Sequence, residues 1–206
     1  MANTPTSTSE QSLSRFVTRK VNALYGSYSS GSSLSKKQLS ELRKAVGQDP
    51  ARFPLAWQYV ISAEDEHAFP EDAKYRQGDL PTQRELAAFT ALTLFAVHQQ
   101  SEQRIMHAAG RSFGSAVGEL VAKRTASIKK RFDSLLQARA YTAVSYHARS
   151  LVQLLKQEEI PFDYGTFSED LAKLQSPKHR SSVITRWSRN FVYGFDKTSS
   201  QTPTHS

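Results

Sequence analysis

Apolar residues recur three and four positions apart along most of this chain: Leu39, Leu42 and Val46; Ile128, Phe132, Leu135 and Leu136; Val144, Ala148, Leu151, Val152 and Leu155; Val183, Ile184, Trp187 and Phe191. That is the period of an amphipathic helix. Valine and isoleucine are sparse and rarely alternate with polar residues, whereas leucine, alanine, glutamine, lysine and arginine fall at helical spacing. The expected class is therefore all-α, a helical bundle of two small lobes. The pattern predicts helices over 11–25, 36–46, 55–62, 83–106, 113–123, 127–140, 143–158, 167–174 and 179–193. Capping boxes, in which a hydroxyl and a returning carboxylate or amide stand three residues apart, are expected at Ser35 with Gln38, Thr82 with Glu85 and Thr166 with Glu169.

Between these periodic stretches, residues 26–33 (GSYSSGSS) predict a loop, and residues 64–81 combine an acidic run with Pro70, Gly78 and Pro81. The second loop divides the chain into an N-terminal helical lobe, 11–80, and a C-terminal bundle, 81–196, with Ser/Thr-rich tails at 1–10 and 197–206 expected to be disordered. Glu64, Asp65 and Glu66 read as a solvated run or a contact for a basic partner. Gly110, Gly114 and Gly118 form a four-residue repeat without the ending of a phosphate loop, and predict close helix packing.

Charge changes the picture most. Between residues 103 and 156, Arg104, Arg111, Lys123, Arg124, Lys129, Lys130, Arg131, Arg139, Arg149 and Lys156 meet only Glu119 and Asp133, an excess of +8, equal to the net charge of the whole chain. A helical segment with that imbalance repels itself unless an anion answers it, which points to a polyanion-facing surface. With Ile128, Phe132, Leu135 and Leu136 inward, a rotation of about 100° per residue puts Lys130 opposite the core and Lys129 and Arg131 on its flanks. On the next helix Arg149 and Lys156, seven residues apart, share an outer edge. Lys37 and Lys44 lie outside on the 36–46 helix with Arg43 at its boundary, and Arg186 and Arg189 lie outside near the C-terminus. Binding through such cations would be electrostatic and nearly blind to sequence.

Other chemistries find little support. With no cysteine there is no disulfide, thiolate metal site or thiol nucleophile, which fits a reducing, cytoplasmic setting. The first dozen residues hold no signal-peptide core. The longest uncharged stretch, 86–100, is shorter than the roughly 20 apolar residues of a spanning helix, so it reads as a buried helix and no membrane contact is expected. His98, His107 and His147 have no metal-ligand spacing, and no nucleophile elbow or clustered acid pair appears. An enzyme, a cofactor and a small-molecule substrate are therefore not expected. Trp57, Phe89, Phe95, Phe132, Trp187 and Phe191 occupy apolar helical positions and read as core.

Several segments resemble a known family in order and spacing: TALTLFAVHQQS from Thr90, MHAAGRSFGSAV from Met106, KKRFDSLL from Lys129, HARSLVQLL from His147, IPFDYG from Ile160, RWSRNF from Arg186 and, nearer the N-terminus, LRKAVGQDP from Leu42. Together they are similar to the CasB family, the small subunit of the type I-E CRISPR Cascade complex, over nearly the whole chain between its tails. The resemblance implies a non-catalytic, all-helical, two-lobed protein. Its implied partners are guide RNA and target DNA, the large subunit and backbone filament subunits of Cascade, and a second copy of itself. It implies stabilisation of the R-loop through strand backbones, with sequence read by base pairing. By position, the family's basic residues fall on Lys130 and Arg131, on Arg43 and Lys44, and on Arg149. The helical wheel adds Lys129 and Lys156. The alternative is a protein-interaction scaffold whose basic face docks acidic partners with no direct nucleic-acid function.

Overall fold

The computed structural model describes residues 12–62, 65, 69 and 80–200. Among them the architecture is all-α: α1 (Leu13–Ser29), α2 (Ser33–Lys44), α3 (Pro54–Val60), α4 (Gln83–His98), α5 (Phe113–Lys123), α6 (Ser127–Gln137), α7 (Tyr141–Gln157), α8 (Tyr164–Leu174) and α9 (Pro177–Ser199), with a 3₁₀ turn at Pro50–Arg52. The one β-bridge among the described residues, His107 to Phe162, joins two loops. No helix among the described residues is long and apolar enough to cross a membrane.

The apolar periodicity located every helix, and the boundaries moved where side chains rewrote the caps. Leu13, Phe16, Val17, Val21 and Leu24 give α1 its buried stripe, but the helix continues through Gly26 to Ser29 because Tyr25 and Tyr28 also pack on the core. The expected loop shrinks to a turn closed at Gly31, whose φ of 86° is costly for any residue with a Cβ. Ser32, not Ser35, caps α2; Ser35 is buried and its hydroxyl donates back to Ser32 O at 2.9 Å. The Thr82–Glu85 capping box forms as expected, with Thr82 N–H donating to Glu85 Oε2 at 2.8 Å and Glu85 N–H to Thr82 Oγ1 at 3.2 Å. The box at Thr166 does not form. Asp163 caps α8 instead, accepting from Thr166 N–H at 3.1 Å, while Glu169 takes the Ser14 N–H at 3.1 Å and so caps α1 from across the fold.

α4 is buried on nearly every face and stops at His98, short of the expected 106. The Gln99 amide donates to Glu102 O and Arg104 O and accepts from Met106 N–H, all within 3.0 Å, which supplies locally the hydrogen bonds that another two turns of helix would have made. α9 runs on past 193, so Lys197 to Ser199, expected in the tail, are helical. The expected tail residues 1–10 and 201–206 lie outside the described residues.

One apolar cluster runs from Leu13 to Phe191. α1 packs on α4 and α8, so the expected lobes 11–80 and 81–196 share this core. Its tightest seam joins α5 to α9. There a Cβ on Gly118 would lie 2.8 Å from Phe195 N and closer still to Phe191 O, and one on Gly194 would meet the Ser115 backbone at 2.8 Å. Gly114 and Gly118 thus pack backbone on backbone, as the spacing predicted, whereas Gly110 stands in the turn before α5, where a Cβ would meet nothing within 4 Å. At the other end of α9, Arg180 donates to the carbonyls of Leu136 and Ala138, where α6 ends.

Candidate nucleic-acid interface

α6 and α7 form a hairpin whose inner side is fixed by Ile128, Phe132 and Leu135 on one helix and Val144, Ala148, Leu151, Val152 and Leu155 on the other. Phe132 also stacks on Phe191 of α9, ring centres 5.2 Å apart. With that side buried, Lys129, Lys130, Arg131 and Arg149 are exposed and Lys156 is half-buried. Arg131 Nη1 donates to Ser150 Oγ at 2.6 Å and so stitches the two helices together. An open groove of 510 Å³ gathers Arg131, Ser150, Gln153 and Lys156 together with Glu102 and Glu159 in its lining. Lys130 and Arg149 stand outside its lining.

The basic run divides in two once the chain is folded. Arg104 pairs with Glu159 at 3.0 Å, Arg111 and Lys123 share Glu119, Arg124 pairs with Glu158, and Lys129 holds Asp133 one turn away with both carboxylate oxygens at 2.9 Å. Glu158 and Glu159 lie just past the end of the stretch that looked unbalanced. Lys130, Arg131, Arg139, Arg149 and Lys156 have no carboxylate partner among the described residues, and all but Arg139 lie on α6 and α7. Lys129, expected as a free flank of this face, is the exception. Its i,i+4 pair with Asp133 and its position 6.0 Å from the Phe191 ring centre hold its charge at the surface of the bundle.

Arg43 and Lys44 are not brought to the hairpin. They end α2, which packs on α1, α3 and α4. Lys44 pairs with Glu41 at 2.7 Å. Arg43 is half-buried, and burial pushes its guanidinium below the usual value while Tyr28 opposes that shift. Asp65 is neither a solvated charge nor a free partner contact. It is buried, accepts from the Ser62 N–H and hydroxyl, and binds Lys20 at 2.5 Å and Arg19 at 3.2 Å. Burial raises its carboxyl, but Lys20 and Ser62 prevail and hold it below the usual carboxylate range. Glu64 and Glu66 lie outside the described residues.

Tyr146 was not singled out from the sequence. It is 70% exposed, its ring edge lies against His147 with centres 5.4 Å apart, and it stands three residues before Arg149 and seven before Gln153. The i, i+3, i+7 spacing that puts it on the cationic edge of α7 was readable in advance.

His98 and His107 are structural. His98 is fully buried with Nδ1 3.0 Å from Tyr164 Oη, and burial, aided by the nearby Lys156 cation, pushes its imidazole down to about 3. His107 Nδ1 accepts the Tyr164 N–H at 3.1 Å, and burial lowers its pKa against the pull of Asp163. No group of three or more His, Cys, Asp or Glu among the described residues could hold a metal ion. Of the aromatics read as core, Phe89, Phe95, Phe132, Trp187 and Phe191 are buried and Trp57 packs on the cluster's edge.

Comparison with known proteins gives the family. A search of curated proteins finds no match. Among solved structures, the chain is similar to CasB from Thermobifida fusca, at 28% identity and a TM-score of 0.71 over 87% of this chain and 97% of that one. It is similar to CasB from Thermus thermophilus at 25% identity and a TM-score of 0.63, over 88% and 97%. CasB from M. ruber, 20% identical, shares the fold with a TM-score of 0.62 over 94% of this chain and all of that one. Residues 38–191, three-quarters of the chain, match the family model for the CRISPR-associated protein Cse2, and the chain belongs to that family.

Proposed function

We propose that this protein is the non-catalytic small subunit of a type I-E CRISPR Cascade complex, which steadies guide RNA–target DNA pairing and the displaced strand by holding their backbones. The observation that carries the reading is the segregation of charge: Lys130, Arg131, Arg149 and Lys156 have no carboxylate partner among the described residues and share one helical hairpin, while Arg104, Arg111, Lys123, Arg124 and Lys129 are paired with acids. Four cations held by packed helices without a paired carboxylate favour a phosphate backbone over water. Tyr146 adds an exposed ring to the same edge. Its partners would be guide RNA, target DNA, the large and filament subunits and a second copy of the chain.

The test is a titration of a fluorescent oligonucleotide at several salt concentrations. Sequence-independent, micromolar binding that weakens steeply with salt is expected. Replacing Lys130, Arg131, Arg149 and Lys156 with alanine should flatten the slope of log K against log[salt] by about 3, since each phosphate neutralised contributes roughly 0.7–0.9. An unchanged slope overturns the reading.

One observation favours a second reading, a docking face for partner subunits: Glu102 and Glu159 line the same groove as Arg131 and Lys156, a mixture of signs suited to a polar protein surface. Reversing Arg131 and Arg149 to glutamate separates the two. Loss of complex assembly favours docking, and a shortened R-loop lifetime with assembly intact favours clamping.

A further inference from the structure

Two grooves lie along α9 and meet at Asn190. The larger, of 700 Å³, is cut between α5 and α9 and has Arg111, Lys123, Tyr193 and Lys197 on its walls. The smaller, of 470 Å³, carries Thr185, Arg186 and Arg189. Thr185, Arg189, Tyr193 and Lys197 are all exposed and follow one another at four-residue intervals, so they form a single ridge. At 1.5 Å per residue the ridge is about 18 Å long. That matches roughly five phosphates at the 3.4 Å per-strand rise of stacked nucleotides.

The charge of this trough differs from that of the α6–α7 groove. Its walls hold Arg111, Lys123, Arg186, Arg189 and Lys197 against one carboxylate, Glu119. Arg111 and Lys123 share that carboxylate and Arg186 is tied to the buried Asp170, which leaves Arg189 and Lys197 with no carboxylate partner among the described residues. Asp196, the one acid on α9, lines neither groove. Tyr193 stands between these two free cations, one helical turn from each, and is 65% exposed. An aromatic face flanked by cations at that spacing is complementary to an unstacked base with a phosphate on either side.

We propose that α9 carries a second nucleic-acid track, specific for a single strand, in which Tyr193 stacks on a base and Arg189 and Lys197 take the flanking phosphates. A duplex keeps its base faces covered and gains only the two charge contacts, so the track discriminates by strandedness. The ligand class is shared with the function proposed above, but the residues are different and the two sites fail separately.

The experiment uses the full chain, a fluorescein-labelled oligothymidylate and a labelled duplex of equal length, read by anisotropy at several salt concentrations. Tyr193→Ala should weaken oligothymidylate binding about tenfold and leave the duplex unchanged, and Tyr193→Trp should restore it. Arg189→Ala with Lys197→Ala should lower the single-strand salt slope by about 1.4. An oligonucleotide bearing 5-iodouracil should crosslink to Tyr193. If every α9 variant binds single strands as the parent does, while the Lys130/Arg131/Arg149/Lys156 variant loses binding, the α9 track is wrong and the α6–α7 reading stands. Equal losses for single strand and duplex in Tyr193→Ala overturn the stacking.

Discussion

The α5–α9 seam and the α6–α7 hairpin carry similar numbers of cations and use them differently. At the mouth of the seam, Arg111 and Lys123 are drawn onto Glu119, and below them two helices meet so closely that Gly118 and Gly194 leave no room for a methyl group. On the hairpin, Lys130, Arg149 and Lys156 project from helices that are anchored only on their inner side. A basic residue therefore says little until the carboxylates around it in space are known. An exposed ion pair contributes only about 0.2–1 kcal/mol to stability, but it removes a cation from the population that can meet a phosphate.

The largest effect expected concerns what lies beneath the hairpin. His98 sits under α7 with its pKa pushed down to about 3, whereas an unfolded histidine titrates near 6.5. Between those values the unfolded chain binds a proton that the folded one refuses. Stability is thus fully present above about pH 6.5 and falls as the pH drops toward 3, by roughly 1.4 kcal/mol per unit and at most about 5 kcal/mol in all. Urea unfolding across that range should show the slope, and His98→Gln should flatten it. A parent protein equally stable at pH 4 and pH 7 would contradict the burial argument.

Next in size is the seam. Gly118→Ala and Gly194→Ala should each cost about 3 kcal/mol or more, because the added carbon meets backbone, which cannot rotate away. The same substitution at Gly26, where a Cβ would meet nothing within 4 Å, should be neutral or slightly stabilising. Chemical denaturation of the three variants measures the contrast. If Gly118→Ala is as harmless as Gly26→Ala, α5 and α9 are not packed as described.

The smallest effect sharpens the difference between free and neutralised cations. Lys129→Ala and Arg124→Ala remove charges already held by Asp133 and Glu158, and each should lower stability by less than about 1 kcal/mol. Each should weaken oligonucleotide binding less than Lys130→Ala does. Lys129→Ala and Lys130→Ala compared at one salt concentration are the direct test, since the residues are adjacent in sequence and differ in their partners. Equal losses would mean that the Lys129–Asp133 pair does not withhold its charge.

How much of this was legible depends on distance along the chain. The α6 and α7 stripes, the Thr82–Glu85 box and the close packing at Gly114 and Gly118 all rest on spacings of three or four residues, and each was found; the partner helix α9 was not. Asp163 caps α8 through Thr166, only three residues on, and was missed because the Thr166–Glu169 pair offered a competing start; its bond to Gly110 N–H, 53 residues away, had no local signal. The cap that Glu169 gives to Ser14 likewise had no local signal. Among the candidate site residues, Lys130, Arg131, Arg149 and Lys156 kept the outward placement given by the helical wheel. Lys129 and Lys44 went to acids in their own helices, which the i,i+4 and i,i+3 spacings could have signalled.

The amino-acid order by itself determined that the chain is helical, which side of each helix is buried and that α5 can be approached closely at its glycines, because these follow from local periodicity and steric allowance; the order and spacing of its motifs carried the family resemblance. Only the tertiary structure decided which cations remain free. Electrostatic neutralisation depends on a few ångströms of separation, and carboxylates as remote in sequence as Glu158 from Arg124, or Asp65 from Lys20, are brought within that range only when the helices pack.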